Sequence, residues 1–174
     1  DGRIRFSNII DEKQIGESLA ITILRNGSII EKSCTLKDTP VRIPWYNEFN
    51  TEPRYFIFGG IVFQSLSKEF LKSWGDWVSN ADETLLYHYF YSEVDGIEPW
   101  RKEFVVINHV LPDEANTYIS GNADNIVEDI NGKIITCLED VVEAVQHPMG
   151  KFHVIRVKDT SVPIVLNADE VPDA

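Results

Sequence analysis

The chain has 174 residues, 43% hydrophobic and 25% charged, which is the composition of an ordinary globular protein with room for one domain and a fraction, or two small ones. Its net charge of −12 is uneven: residues 1–40 carry six acids and six bases, residues 41–174 carry 22 and ten. That surface repels phosphate backbones and argues against nucleic acid as a partner, and no apolar run approaches the roughly 18 residues of a membrane span.

In chain order, Phe6, Ile9, Ile10 and Lys13 recur at helical spacing, with Gly16 as a stop. The opening "DGRIRFSN" lacks the apolar core expected of a signal peptide. Residues 18–36 alternate apolar and polar around Asn26-Gly27, a strong hairpin signal. Residues 38–53 hold three prolines and are expected to be a linker. "YFIFGGIVF" at 55–63 sets two adjacent glycines between apolar runs. It is expected to be one strand reaching Leu66, with the glycines marking a place where another backbone comes close. Residues 75–100 carry six acids and no Lys or Arg among many aromatics, an excursion expected to be helical around "ETLLYHYFY". "EFVVINHVL" is nearly continuous in apolar residues and predicts a central strand. "DEANTYISGNADN" predicts a loop, and "IVEDINGKII" two strands about an Asn-Gly turn. "TCLEDVVEAVQHP" predicts a helix with Leu138, Val141, Val142 and Val145 on one face, a Thr136–Glu139 capping box and Pro148 as its end. "KFHVIRVKD" and "SVPIVLN" predict a closing pair of strands. Helix followed by hairpin thus occurs twice, at 4–36 and at 136–167.

Chemistry-bearing residues are sparse. Cys34 and Cys137 form neither a disulfide framework nor a zinc spacing, and both are expected to be buried free thiols. No serine lies in a nucleophile motif. His88, His109, His147 and His153 lack serine and aspartate partners in any such order, and His109 is expected to be structural. "DNIVEDING" fails the calcium-loop spacing. Neither catalysis, metal nor another cofactor is expected of these residues.

Gly60-Ile61-Val62-Phe63 is similar to the Gly-Φ-x-Φ carboxylate-binding loop of PDZ domains, with Arg54 upstream as the basic residue. The blocks "YFIFGGIVFQSLSKEFL", "FVVINHVLPDEAN", "IVEDINGKII" and "LEDVVEAVQ" follow the order seen in the C-terminal region of DegP/HtrA-like serine proteases of the plant Deg type and their bacterial relatives. "DGRIRFSNIIDEKQIGESLAITILRNG" resembles the end of that family's first PDZ domain. The resemblance implies an α+β fold, mainly β: a partly open PDZ-like barrel or sandwich capped by helices. It implies the end of a first PDZ domain at 1–38, a linker at 39–53, a second PDZ domain at 54–167 with an insertion at about 72–100, and a tail at 168–174. It implies a peptide strand added beside a helix, with its carboxylate on backbone N–H groups of the glycine loop. The expected peptide-binding residues are Arg54, Phe58, Gly59, Gly60, Ile61, Val62, Phe63, Val141, Val142 and Val145. Implied partners are peptide or unfolded-protein segments and further subunits of a homo-oligomeric protease, in a periplasm or an organelle. The alternative is an assembly module whose second PDZ groove is closed.

Overall fold

The structure is a computed structural model that describes residues 6–37, 41–44, 52–117, 119, 121 and 123–171. Two compact units divide the chain at Pro40.

In the first unit a short helix α1 (Phe6–Asp11) precedes the antiparallel strands β1 (Ser18–Arg25) and β2 (Ser28–Thr35). Asn26 and Gly27 both take positive φ, the conformation a two-residue hairpin turn needs to match strand twist. Leu19 is the buried apolar residue among those described here, while Ile15, Leu24 and Ile29 are largely exposed. Cys34 is exposed, contrary to expectation. It lies opposite Leu19 on a two-stranded ribbon with too few layers to cover it. The Phe6 side chain, expected on the apolar face of α1, lies outside the described residues.

The second unit is built on one antiparallel sheet in the order β3 (Tyr55–Phe58), β4 (Ile61–Ser65), β5 (Val105–Val110), β6 (Asn125–Ile130), β8 (Phe152–Val157) and β9 (Ile164–Asn167), with β7 (Lys133–Ile134) also on β6. The sheet stays open rather than closing into a barrel. Between β4 and β5 come α2 (Lys68–Lys72), α3 (Trp77–Asn80) and α4 (Glu83–Tyr91), and α5 (Leu138–Val145) follows β7. The mainly β, α+β architecture is the expected one.

Strand alternation divides the apolar residues between two faces. Val105 and Ile107 of β5 join Phe58, Ile61, Phe63, Val127, Ile155 and the α5 residues Leu138, Val141, Ala144 and Val145 in one cluster. Val106 points the other way, into a cluster of Ile43, Leu66, Phe70, Leu71, Ala81, Leu85, Phe104 and Ile126. The excursion therefore covers the sheet's second face, and that is why β5, central as expected, is apolar on both sides.

Two buried arginines fix the excursion. Arg42 donates to the carbonyls of Ile97 (2.7 Å), Glu98 (2.8 Å) and Ser92, and pairs with Glu93 at 3.2 Å. Arg101 donates to the carbonyls of Val127 (3.0 Å) and Ile135 (2.8 Å) and pairs with Glu98. The two guanidinium groups lie over the Phe104 ring at 5.5 and 5.7 Å. Arg42 and Ile43 are buried, so this part of the expected linker is anchored to the second unit. Residues 45–51, the rest of its centre, lie outside the described residues.

Candidate functional site

The stretch expected to be a single strand is a hairpin. β3 and β4 pair from Tyr55↔Gln64 to Phe58↔Ile61 and leave Gly59-Gly60 as a two-residue turn. Their φ values are +54° and +74°, a region that L side chains enter only at a cost. The physical reason for the difference is that apolar runs on both sides of a tight turn look like one run interrupted.

What comes close to these glycines is the chain itself. A Cβ on Gly59 would meet Leu166 Cδ1 at 2.7 Å, and a Cβ on Gly60 would overlap Asn116 Nδ2 and reach the Leu111 carbonyl oxygen at 2.5 Å. Asn116, 4% exposed, belongs to a 3-10 turn at Glu114–Asn116 that interrupts the expected loop. Its Nδ2 donates to the carbonyls of Gly59 (2.8 Å) and Leu111 (2.7 Å), and its Oδ1 accepts from the Asp113 N–H at 3.1 Å. The Leu111 N–H donates to the Gly60 carbonyl at 2.8 Å. One side chain thus ties the turn to the loop after β5. Asp113 and Asn116 form a local capping box, but the reach to Gly59, 57 positions away, is made only in the folded sheet.

Both flanks of β4 are occupied. Ile61 lies between Phe58 of β3 and Val110 of β5, and Val62 lies between Ile57 and His109. α5 packs against β3 and β4. Phe58, Ile61, Phe63, Val141 and Val145 share one core, whereas Val142 is 36% exposed. The buried face of α5 follows Leu138, Val141 and Ala144–Val145, so Val142 turns outward and is a correction to the expected face. Phe58 also meets the His153 ring edge-on at 4.7 Å. Among the described residues, a hollow of ≈ 600 Å³ lies beside Arg54, Gln64, Ser65 and Glu103, and neither glycine nor any α5 residue lines it.

α5 is held at both ends. Its N-cap residue is Cys137, and its side chain makes no cap bond. The expected Thr136–Glu139 box is absent. Instead Glu103 Oε1 accepts the Leu138 N–H at 2.7 Å, and Asp140 Oδ2 accepts both the N–H and the hydroxyl of Thr136 at 2.8 and 2.6 Å. A carboxylate from a distant segment fills the position the local box would use. Burial pushes the Asp140 carboxyl up, but the Thr136 and Lys133 hydrogen bonds outweigh it and hold it well below the usual carboxylate range. At the other end, Asn131 Nδ2 donates to the Ala144 carbonyl at 2.9 Å and lies 3.1 Å from His153 Nδ1, while its Oδ1 accepts the Val154 N–H.

Arg54 is engaged by two acids. It pairs with Glu103 at 2.7 Å and with Glu139, in the first turn of α5, at 2.6 Å. Glu103 above all, then Glu139, raises its pKa. Glu103, Cys137 and Glu139 also form a trio with metal-ligand atoms within 4.8 Å of one another. Arg54 already pairs with both carboxylates, and burial raises the thiol pKa so that Cys137 stays protonated. These residues suit a charge clasp better than a cation.

The histidines are dispersed. His109 is exposed on β5, not structural as expected: alternation from Val105 and Ile107 would place it on their core face, but the register shift that skips Asn108 brings Val110 to that core and turns His109 outward. His153 lies under α5. His88 is buried on α4, with Nδ1 2.7 Å from the Thr84 carbonyl. Burial lowers the pKa of both His88 and His153.

The PDZ domain family matches residues 43–174. The chain is 27% identical over 172 residues to "Putative protease Do-like 12, mitochondrial" of Arabidopsis thaliana, covering 99% of this chain and 30% of that protein. It is 28% identical over 146 residues to "Putative protease Do-like 3, mitochondrial", covering 83% of this chain and 23% of the relative. With "Putative protease Do-like 11, mitochondrial", both from the same plant, identity is 40% over 72 residues, 41% of this chain and 12% of the relative. The chain therefore spans less than a third of the length of these curated relatives.

Proposed function

Because the chain belongs to the PDZ domain family over residues 43–174, we propose that its second unit serves a Do-like protease as a non-catalytic module whose peptide slot is filled by its own strand β3, leaving an assembly role in place of the reading of free C-termini. One observation carries this: β4 has β3 on one side and β5 on the other. PDZ-type recognition adds a peptide strand to a sheet edge beside a helix. β3 is antiparallel to β4, packs with α5, and sets Phe58 in a core with Ile61, Phe63, Val141 and Val145, where an apolar terminal side chain would sit. It then continues through Gly59-Gly60 into β4 instead of ending in a carboxylate. Arg54, the basic residue that would attract that carboxylate, is clasped by Glu103 and Glu139.

In this reading residues 1–38 are the end of a preceding PDZ domain, 54–167 are the second, and 72–100 are its insertion. Proteolysis belongs to another part of the parent protein. Assembly with other subunits uses surfaces outside the slot.

The test is a titration of labelled peptides ending in an apolar residue, with free or amidated C-termini, against the 174-residue chain. The expected result is no saturable binding by either form. A free-carboxylate peptide that binds in the micromolar range, on the order expected for a short ordered segment, and loses binding on amidation would overturn the reading. Arg54, Gly59, Gly60, Ile61, Val62 and Val142 would then be ligand residues exposed by displacement of β3.

A further inference from the structure

The outer face of α4 is apolar where a surface helix is ordinarily polar. Leu85, His88 and Ser92 are buried and anchor the helix to the sheet. At 100° per residue, Glu83, Tyr87, Phe90 and Val94 fall on the opposite side, with Tyr91 on the flank beside Tyr87, ring centroids 5.5 Å apart. The Asp95 N–H donates to the Tyr91 carbonyl at 2.8 Å, so the helical turn continues past Tyr91 and brings Val94 into line. Tyr87, Phe90 and Tyr91 are each about half exposed, and Val94 is 80% exposed. Val78 of α3 is exposed as well, next to Trp77, which stacks on Phe90 at 5.9 Å and meets Tyr89 edge-on at 5.3 Å. The rings are therefore held in place before any partner arrives, which lowers the ordering cost of binding. Aromatic residues on a rigid element are the residue types enriched at interface centres.

Charge selects the occupant. Asp76, Glu83 and Asp95 belong to this segment, which contains no Lys or Arg, and none of the three pairs with a basic side chain among the described residues. A second copy of this face would bring two acidic rims together, and like charges across an interface are disfavoured. We propose that the outer face of α4, through Tyr87, Phe90, Tyr91 and Val94, docks a polypeptide segment whose apolar side chains are flanked by lysine or arginine. Tyr and Trp faces also attract such cations directly. The proposal is independent of the filling of the slot by β3.

Two helix-forming peptides of about 15 residues, one of leucine and lysine and one with glutamate at each lysine position, are titrated into the 174-residue chain at low and at physiological salt. The same titrations use the double variant Tyr87→Ser/Tyr91→Ser and, separately, Val94→Ser, whose exposed side chain cannot support the fold. Thermal unfolding verifies each variant. The expected result is that the lysine peptide binds, that the double variant weakens it about tenfold, as for the loss of interface anchors, that Val94→Ser weakens it in the same direction, and that the glutamate peptide does not bind. Binding unaltered by both variants would reduce the effect to net charge and overturn the proposal. So would equal binding of both peptides, absence of binding, or a dimer in light scattering that these substitutions dissolve.

Discussion

Gly60→Ala puts the reading of the turn under the strongest load. The residue has φ +74°, and an added methyl group would overlap Asn116 Nδ2 and lie 2.5 Å from the Leu111 carbonyl oxygen. The left-handed backbone alone costs about 1–2 kcal/mol with a side chain present. To make room, the 111–117 loop must retreat, and that breaks the hydrogen bonds of Asn116 to Gly59 and Leu111. Each buried polar group left unsatisfied adds about 1–3 kcal/mol. The sum is about 3–8 kcal/mol, a large part of the roughly 5–15 kcal/mol that holds a domain folded. Two other glycines serve as internal standards. Gly132 has φ +80° with nothing near its Cβ direction, so Gly132→Ala should cost only the backbone part, about 1–2 kcal/mol. Gly59→Ala meets the movable end of Leu166 at 2.7 Å and should fall between the two. Urea denaturation of all three variants measures the order. If Gly60→Ala is no more destabilising than Gly132→Ala, the loop does not pack on the turn and the reasoning fails.

Asn116→Ala should cost about 2–6 kcal/mol by leaving two buried carbonyls without their donor; Asn116→Asp, equal in shape, should be at least as harmful at pH 7, and a mild aspartate variant in the same denaturation assay would show that packing alone matters there. For pH, burial lowers the pKa of both His88 and His153 below the unfolded value of about 6.5. The unfolded chain then takes up the proton first, so their contribution is complete above about pH 6.5 and is lost as pH falls from there through the folded pKa. Urea midpoints should decline from pH 7.5 to 5 and decline less in a His153→Gln variant; midpoints that rise on acidification would contradict the assignment of neutral imidazoles. A peptide of residues 1–38, with Leu19 as its one buried apolar residue among those described, should show no cooperative thermal unfolding, since units below roughly 40 residues seldom bury enough surface unaided; a sharp calorimetric transition would refute this.

Local signals carried most of the elements. Asn26-Gly27 and Asn131-Gly132 both adopt positive φ in two-residue turns, and "ETLLYHYFY" is the helix α4, with Asp82 accepting the N–H groups of Thr84 and Leu85. Gly59-Gly60 was the informative failure. A Gly-Gly pair is itself a hairpin signal, but β3 has only four residues and the apolar pattern runs straight across the turn. Other misread features have partners remote in sequence. Glu103 caps α5 from 35 positions upstream, and Asn116 reaches Gly59 across 57 positions. Arg42 reads as linker in the sequence because its targets, between Ser92 and Glu98, lie 50 or more positions away. The candidate residues Phe58, Ile61, Phe63, Val141 and Val145 do come together. That β3 would lie between β4 and α5 was not legible, because strand order is decided by which edge wins and not by the pattern of either strand.

The central claim is that β3 pairs with β4 in the absence of any ligand. Amide hydrogen exchange, resolved by residue on the isolated chain, measures this directly. The account predicts that β3 amides facing β4 are protected to a level near that of β4 itself, and that excess C-terminal peptide leaves their protection unchanged. Free exchange along Tyr55–Phe58 beside a protected β5, with protection of β4 rising only when a free-carboxylate peptide is added, would contradict it.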